Sequence, residues 1–229
     1  YAAYGTSWDA ISGAEGGARD LADEAVFLCR LLVGLLPKEP EPQGLLALML
    51  HCEARRAARR GAGGEFVPLK AQDVSLWSRD MIVEAEGHLV TASKAGRFGR
   101  FQCEAAIQSV HAQRALTGHL NHAALLTLYV LLATHCPGVG VLVGQAAATV
   151  DAGEPGQALQ LLARMPCEDV KAYQPYWVTL ATAQTACGEH GAARQALQRA
   201  IGLTEDPAVR EFLRRGVLSE QAQGQPPLR

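Results

Sequence analysis

Apolar positions in this chain recur mostly at three or four residues, the spacing of helices that bury one face. In the last third the pattern occurs twice. Leu142, Ala146, Gly153, Ala158, Leu162 and Met165 return as Trp177, Ala181, Gly188, Ala193, Leu197 and Ala200, each pair 35 residues apart. Within each unit the apolar positions mark one helical stripe, then a second, with a glycine at the turn. The period lies close to the ~34 residues of tetratricopeptide (TPR) repeats. The second unit fits that pattern best, through Trp177, Leu180, Ala181, Gln184, Gly188, Ala193, Leu197 and Ala200, with Pro207 after its second helix. Small residues sit where paired helices must approach closely. A weaker third unit lies upstream, where Ala112, Ala124, Leu128 and Leu131 precede Ala146, Ala158, Leu162 and Met165 by 34 residues and His119 holds the glycine position. Repeats of this kind build binding surfaces.

Before the repeats the same reading gives five helices. The first runs from about Arg19, with Leu21, Ala25, Leu28, Leu32 and Leu35 as its expected inner stripe and Pro37, Pro40 and Pro42 as its stop. The second, Gly44 to Arg60, is apolar all round from Leu45 to Leu50, which predicts burial on several sides. It ends in Arg55, Arg56, Arg59 and Arg60. Cations suit a helix C-terminus, but four within six residues exceed what capping needs and point to an acidic partner surface or a nucleic-acid backbone. An ordered loop follows, then a helix from near Asp73 with Trp77, Met81, Ala85, His88 and Ala92 inside, capped by Asp73 or Ser75. Two more span Arg100 to Leu116 and Asn121 to His135, the latter capped by Asn121. A last helix from Pro207 closes the repeats, with Val209, Phe212, Leu213 and Val217 as its apolar positions.

Composition narrows the picture. Hydrophobic residues make up 48% of 229 and aromatics only 6%, which favours helices over sheets. A formal net charge of −2 argues against a nucleic-acid binder held by bulk electrostatics. No apolar run approaches the ~18 residues that would span a membrane. Six cysteines lie scattered without a C-x-x-C pair, as expected of reduced thiols in a cytoplasm. The chain opens on Tyr rather than Met, which predicts a fragment of something longer.

Catalytic chemistry leaves little trace. His119 and His122 straddle a turn and lack a placed carboxylate, so no metal site is expected. Gly61-Ala62-Gly63-Gly64 lacks the strand before it and the Lys-Ser/Thr after it that a phosphate loop needs. No nucleophile stands beside a base. The expectation is a non-enzyme without cofactor.

Several ordered motifs carry a resemblance. Leu35-Leu36-Pro37, Glu39-Pro40-Glu41, Gly44 through Leu50, Ala54-Arg55-Arg56 and Ala58-Arg59 follow one another. Leu69, Gln72, Asp73, Ser75 and Trp77 come next, then Ala105-Ala106-Ile107, Val110-His111 and Ala112. Together they resemble the C-terminal extension of a group of bacterial extracytoplasmic-function (ECF) RNA polymerase sigma factors. In that group two promoter-reading domains precede a long TPR-like region. One departure is Val143-Gly144-Gln145-Ala146, where the family carries L-N-R-A.

The resemblance implies a cytoplasmic regulatory module. Its partners would be its own promoter-reading sigma domains and the RNA polymerase core, with a small YCII-like protein as a further candidate. It would not bind DNA directly, since the promoter-reading domains are not in this chain. The expected fold is all-α, a right-handed helical-hairpin (TPR-like) solenoid preceded by a helical bundle. Residues 1–18 are expected as a linker or arm, 19–118 as the bundle, 119–218 as repeats with a capping helix, and 219–229 as a tail. Arg55, Arg56 and Arg59 are expected to contact the partner. Gln72, Asp73 and Trp77 are expected to fix the loop after the basic helix. The rival reading is a small-molecule sensor whose ligand sits in the groove of the repeats, lined by Tyr129, Tyr173, Tyr176 or Trp177.

Overall fold

A computed structural model of the chain describes residues 15–223, with side-chain surroundings for 21–216. Most of the expected arm and part of the expected tail lie outside the described residues. Where they are described, at 15–18 and 219–223, they are helical. The chain forms two compact units, 1–132 and 133–229. Both are helical, and the described residues contain one isolated antiparallel bridge, Arg60 to Phe66, and no sheet.

In the first unit, helix α1 (Glu15–Leu35), α3 (Arg79–Ser93) and α4 (Arg100–Ala112) pack around α2 (Pro40–Glu53). The all-apolar run of α2 explains its central place: Leu46, Ala47, Leu48, Met49 and Leu50 are all buried. Each large side chain so enclosed contributes about 1.5–3 kcal/mol. Pro40 starts α2 without loss, because its missing N–H has no intrahelical partner there. The Glu41 carboxylate accepts from the Phe101 and Gln102 amides at 3.1 and 3.3 Å, which sets a negative charge on the N-terminus of α4. Gly44 lets the two helices touch. A Cβ there would lie 2.6 Å from the Gln102 nitrogen.

The expected inner stripe of α1 is corrected. The face packed on α2 carries Ala22, Val26 and Cys29, whereas Leu28 and Leu35 are 55% and 78% exposed. Phe27, Leu31 and Leu32 share that outer side. The helix has two apolar stripes, and the smaller residues allow the closer approach to α2. Arg30 fixes this rotation through a two-pronged pair with Glu84 on α3, both bonds 3.0 Å. After α4 come the short α5 (Arg114–Thr117), a left-handed Gly118, and α6 (His122–His135), capped as expected by Asn121, which accepts from the Ala124 amide at 3.0 Å.

The second unit carries the echoed repeat as two helical hairpins. They are α7 (Val139–Asp151) with α8 (Pro155–Ala163), and α10 (Gln174–Ala186) with α11 (His190–Gly202). The short α9 (Cys167–Val170) links them, and α10 packs on both helices of the first hairpin. Gly153 and Gly188 take φ of +88° and +80° at the two turns, and the next amide reaches back to Thr149 or Gln184. Ala146, Ala158, Ala193 and Ala200 are sealed at the contacts. Tyr176 is buried edge-on to Trp177, and Trp177 packs with the cores on both sides of α10. The last helix, α12 (Pro207–Gln223), covers α11 through Leu213 and Val209, with Asp206 capping it.

Candidate functional site

The arginine cluster does not end a long helix, as expected, because α2 stops at Glu53. The Ala54 carbonyl accepts from the Ser78 amide at 2.8 Å, which draws the chain toward the start of α3. Arg55 adopts φ −100°, ψ 0°, and a 3-10 turn follows over Arg56–Arg59. This turn separates Arg56 from Arg55 and Arg59.

Arg55 goes inward and is 8% exposed. Its Nε donates to the His51 carbonyl at 3.3 Å, and its Nη2 donates to the Gln108 Oε1 at 2.6 Å and to the Cys52 sulfur at 3.9 Å. All three acceptors are neutral. Arg56 instead pairs with Glu53 at 2.5 Å. Arg59 stays near Arg55 on the wall of a cavity of about 200 Å³, completed by Phe66, Val67, Leu69 and Gln72. The opposite wall is built by the loop: the Val67 amide bonds the Arg59 carbonyl at 3.0 Å, and a 3-10 turn at Leu69–Ala71 brings Gln72 inward. Gln72 is 9% exposed. Its amide nitrogen donates to the Val67 carbonyl at 3.3 Å, while its Oε1 is buried without a partner.

Asp73 does not line the cavity. It caps the next 3-10 turn, accepting from the Ser75 amide at 2.9 Å, a bond that lowers its pKa. The cap of α3 is Ser78, not Asp73 or Ser75, with its hydroxyl accepting from the Met81 amide. Trp77 is buried behind the loop. The six expected site residues therefore divide: Arg55, Arg59 and Gln72 converge, Trp77 and Asp73 support, and Arg56 is engaged elsewhere.

Sequence reasoning missed Arg114. From α5 its guanidinium donates to the carbonyls of Leu69, Lys70 and Gln72 at 2.9, 3.1 and 3.3 Å, and it stands 5.2 Å from the Trp77 ring. It clamps the loop wall in place. Its position two residues after the Val110-His111-Ala112 motif was the available signal.

Basic groups shift the two histidines nearest the cluster. Burial first, then Arg55, lowers the His51 pKa to about 4. Burial first, then Arg55, Arg114, His122 and Lys70, lowers that of His111 to about 4. Both imidazoles are neutral near pH 7, and the side chains that lower their pKa values are basic. Two further polar groups sit close by. The Ser109 hydroxyl donates to Glu86 at 2.6 Å, and His51 lies 3.5 Å from the same carboxylate, too poorly aligned for a hydrogen bond. Both contacts fall on the same Glu86 oxygen, Oε1. Among the described residues no group of three or more His, Cys, Asp or Glu could hold a metal ion. None of their helices is long and apolar enough to cross a membrane.

Residues 1–93 match the model of a family of unknown function, DUF6596. The match takes in α1 through α3 and the whole loop from Arg55 to Trp77. Over 214 residues, 93% of the chain, the sequence is 34% identical to an uncharacterized protein of Rhizobium meliloti (strain 1021), covering 50% of that protein. The chain thus spans about half the length of the curated relative it matches. No solved structure matches it. Its similarity is to proteins defined by sequence, and Gln108, His111 and Arg114, which brace the cavity, lie beyond the family match.

Proposed function

We propose that the chain is the regulatory C-terminal domain of an ECF-type RNA polymerase sigma factor, a cytoplasmic, non-catalytic module. It controls transcription initiation by docking on the promoter-reading domains that precede it in such factors. The observation that carries this reading is the outer face of α1. Phe27, Leu28, Leu31, Leu32 and Leu35 form a continuous apolar stripe at helical spacing on a helix whose other face is already packed. A contiguous patch of this kind marks a protein interface. The matched relative carries as much chain again outside the match, which gives this surface a covalently linked partner of the right size. The motifs shared with sigma-factor extensions supply the partner's identity.

A pull-down of the chain against those promoter-reading domains tests this. Leu28→Glu with Leu35→Glu changes only exposed positions, so helicity stays at the wild-type level while retention falls at least about tenfold. Retention equal to wild type removes the α1 face from the proposal. The same assay with Arg55→Ala, Arg56→Ala and Arg59→Ala combined asks whether the basic cluster contributes.

A further inference from the structure

The cavity beside α2 holds two unmet demands of opposite kind. Arg55 is a buried guanidinium whose hydrogen-bond partners include no carboxylate. A buried cation is costly unless a counter-charge accompanies it. Its neighbours are basic as well: Arg59 shares the wall, and Arg114 and Lys70 stand close enough to act on the same imidazole as Arg55 does. Gln72, on the opposite wall, presents a buried carbonyl oxygen that lacks a donor. The site therefore asks for an anion on one side and an N–H on the other.

We propose that this cavity receives a carboxylate side chain, Asp or Glu, presented by a partner polypeptide. The carboxylate meets the Arg55 and Arg59 guanidiniums, and the backbone N–H beside it donates to the Gln72 Oε1. A polypeptide supplies both groups from one residue. A free anion such as acetate supplies only the first. Size points the same way: about 200 Å³ is below the ~300–1,000 Å³ of cofactor and drug-sized ligand sites, and suits one side chain. Phe66, Val67 and Leu69 give the cavity an apolar part to its lining, which suits the methylene stem of an acidic residue rather than a fully hydrated phosphate. Arg114 keeps the receptor pre-formed by holding the Leu69, Lys70 and Gln72 carbonyls, so little ordering cost remains at binding. The proposal rests on the reading of the chain as a protein-docking module and names the chemistry its partner must offer.

The test is an NMR titration of the full chain with N-acetyl-L-glutamate N-methylamide, which carries one carboxylate and two backbone-like amides. The expected result is saturable shifts at the Arg55 and Arg59 Nε–H, the Gln72 side-chain amide and the backbone of 66–69. The glutamine counterpart, acetate and inorganic phosphate should each bind at least about tenfold more weakly, because each lacks the charge, the amide, or the fit. Arg59→Gln and Gln72→Met should each weaken the glutamyl probe by about tenfold, and they avoid the risk to folding that removing buried Arg55 carries. Arg56→Gln, paired with Glu53 and away from the cavity, should leave binding unchanged. Absence of saturable shifts, equal binding of the glutamine probe, or phosphate or acetate binding as tightly as glutamate overturns the proposal. Probe binding with a failed pull-down would sink the sigma-factor reading and leave the receptor standing. A successful pull-down without probe binding would do the reverse.

Discussion

Gly44 offers a sharp test of how the first unit is held together, because helix propensity and packing disagree about it. It sits inside α2, where replacing Gly by Ala ordinarily stabilises a helix by about 1 kcal/mol. Here a Cβ would lie 2.6 Å from the nitrogen and 2.9 Å from the Cα of Gln102, both backbone atoms of α4. Carbon contacts settle at roughly 3.5–4 Å, so α4 must withdraw by about 1 Å. Overpacking of this kind costs about 1–3 kcal/mol. The same withdrawal stretches the bonds from Glu41 to the Phe101 and Gln102 amides, and losing a cap costs a further ~1 kcal/mol. Packing wins. Gly44→Ala should destabilise the first unit by about 1–3 kcal/mol after the propensity gain is subtracted. Gly87→Ala is the matched control: it lies within α3 with nothing within 4 Å of its Cβ, so it should stabilise by about 0.5–1 kcal/mol. Urea titration read by hydrogen exchange in peptides from α2 and α4 isolates the first unit from the second. Equal stability of Gly44→Ala and Gly87→Ala would refute the close α2–α4 crossing.

Trp177 packs with apolar cores on both sides of α10, and its indole N–H donates to the Lys171 carbonyl at 3.3 Å. Trp177→Ala should therefore cost about 3 kcal/mol, read from exchange protection of α10 and α11; a loss under about 1 kcal/mol would refute its role as the link between hairpins. Acid should destabilise the first unit through His51 and His111. Their folded pKa values near 4 lie below the ordinary 6.5, so the unfolded chain takes up protons first as pH falls. The contribution is complete above about pH 6.5 and is lost toward pH 4, with a slope approaching ~1.4 kcal/mol per pH unit for each histidine. Urea midpoints at pH 7 and pH 5 check this; His51→Phe should flatten the slope, and an unchanged slope would place His51 outside the titrating set.

The repeat was legible because its signal is local. A 35-residue echo of small and large residues, with glycine at each turn, needs only the geometry of a helix to be read, and Gly153 and Gly188 take the positive φ that the turn requires. The burial of α2 was legible for a similar reason, since a helix apolar on every side has no face to give to water. The basic cluster was visible as composition, yet its four arginines were indistinguishable in sequence. Their division followed from the Ala54–Ser78 hydrogen bond, which ends α2 at Glu53, and from a loop wall that arrives from residues 66–72. Arg114 was missed because its three acceptors lie more than 40 residues away along the chain.

Helix α1 marks the boundary between the two kinds of information most clearly. Sequence by itself determined that an amphipathic helix would form there, and its periodicity marked one apolar stripe, Leu21, Ala25, Leu28, Leu32 and Leu35. It also determined the all-helical class, the hairpin period and the cap at Asn121, because each depends on neighbours within a few turns. That a different stripe turned inward was decided only in the tertiary structure. Close approach to α2 selects the small residues Ala22, Val26 and Cys29, and the Arg30–Glu84 pair holds that rotation. Hydrophobic periodicity records which residues prefer to leave water; the surfaces that receive them come from elsewhere in the chain. The same physics left the leucines of α1 outside and gathered Arg55, Arg59 and Gln72 around one cavity.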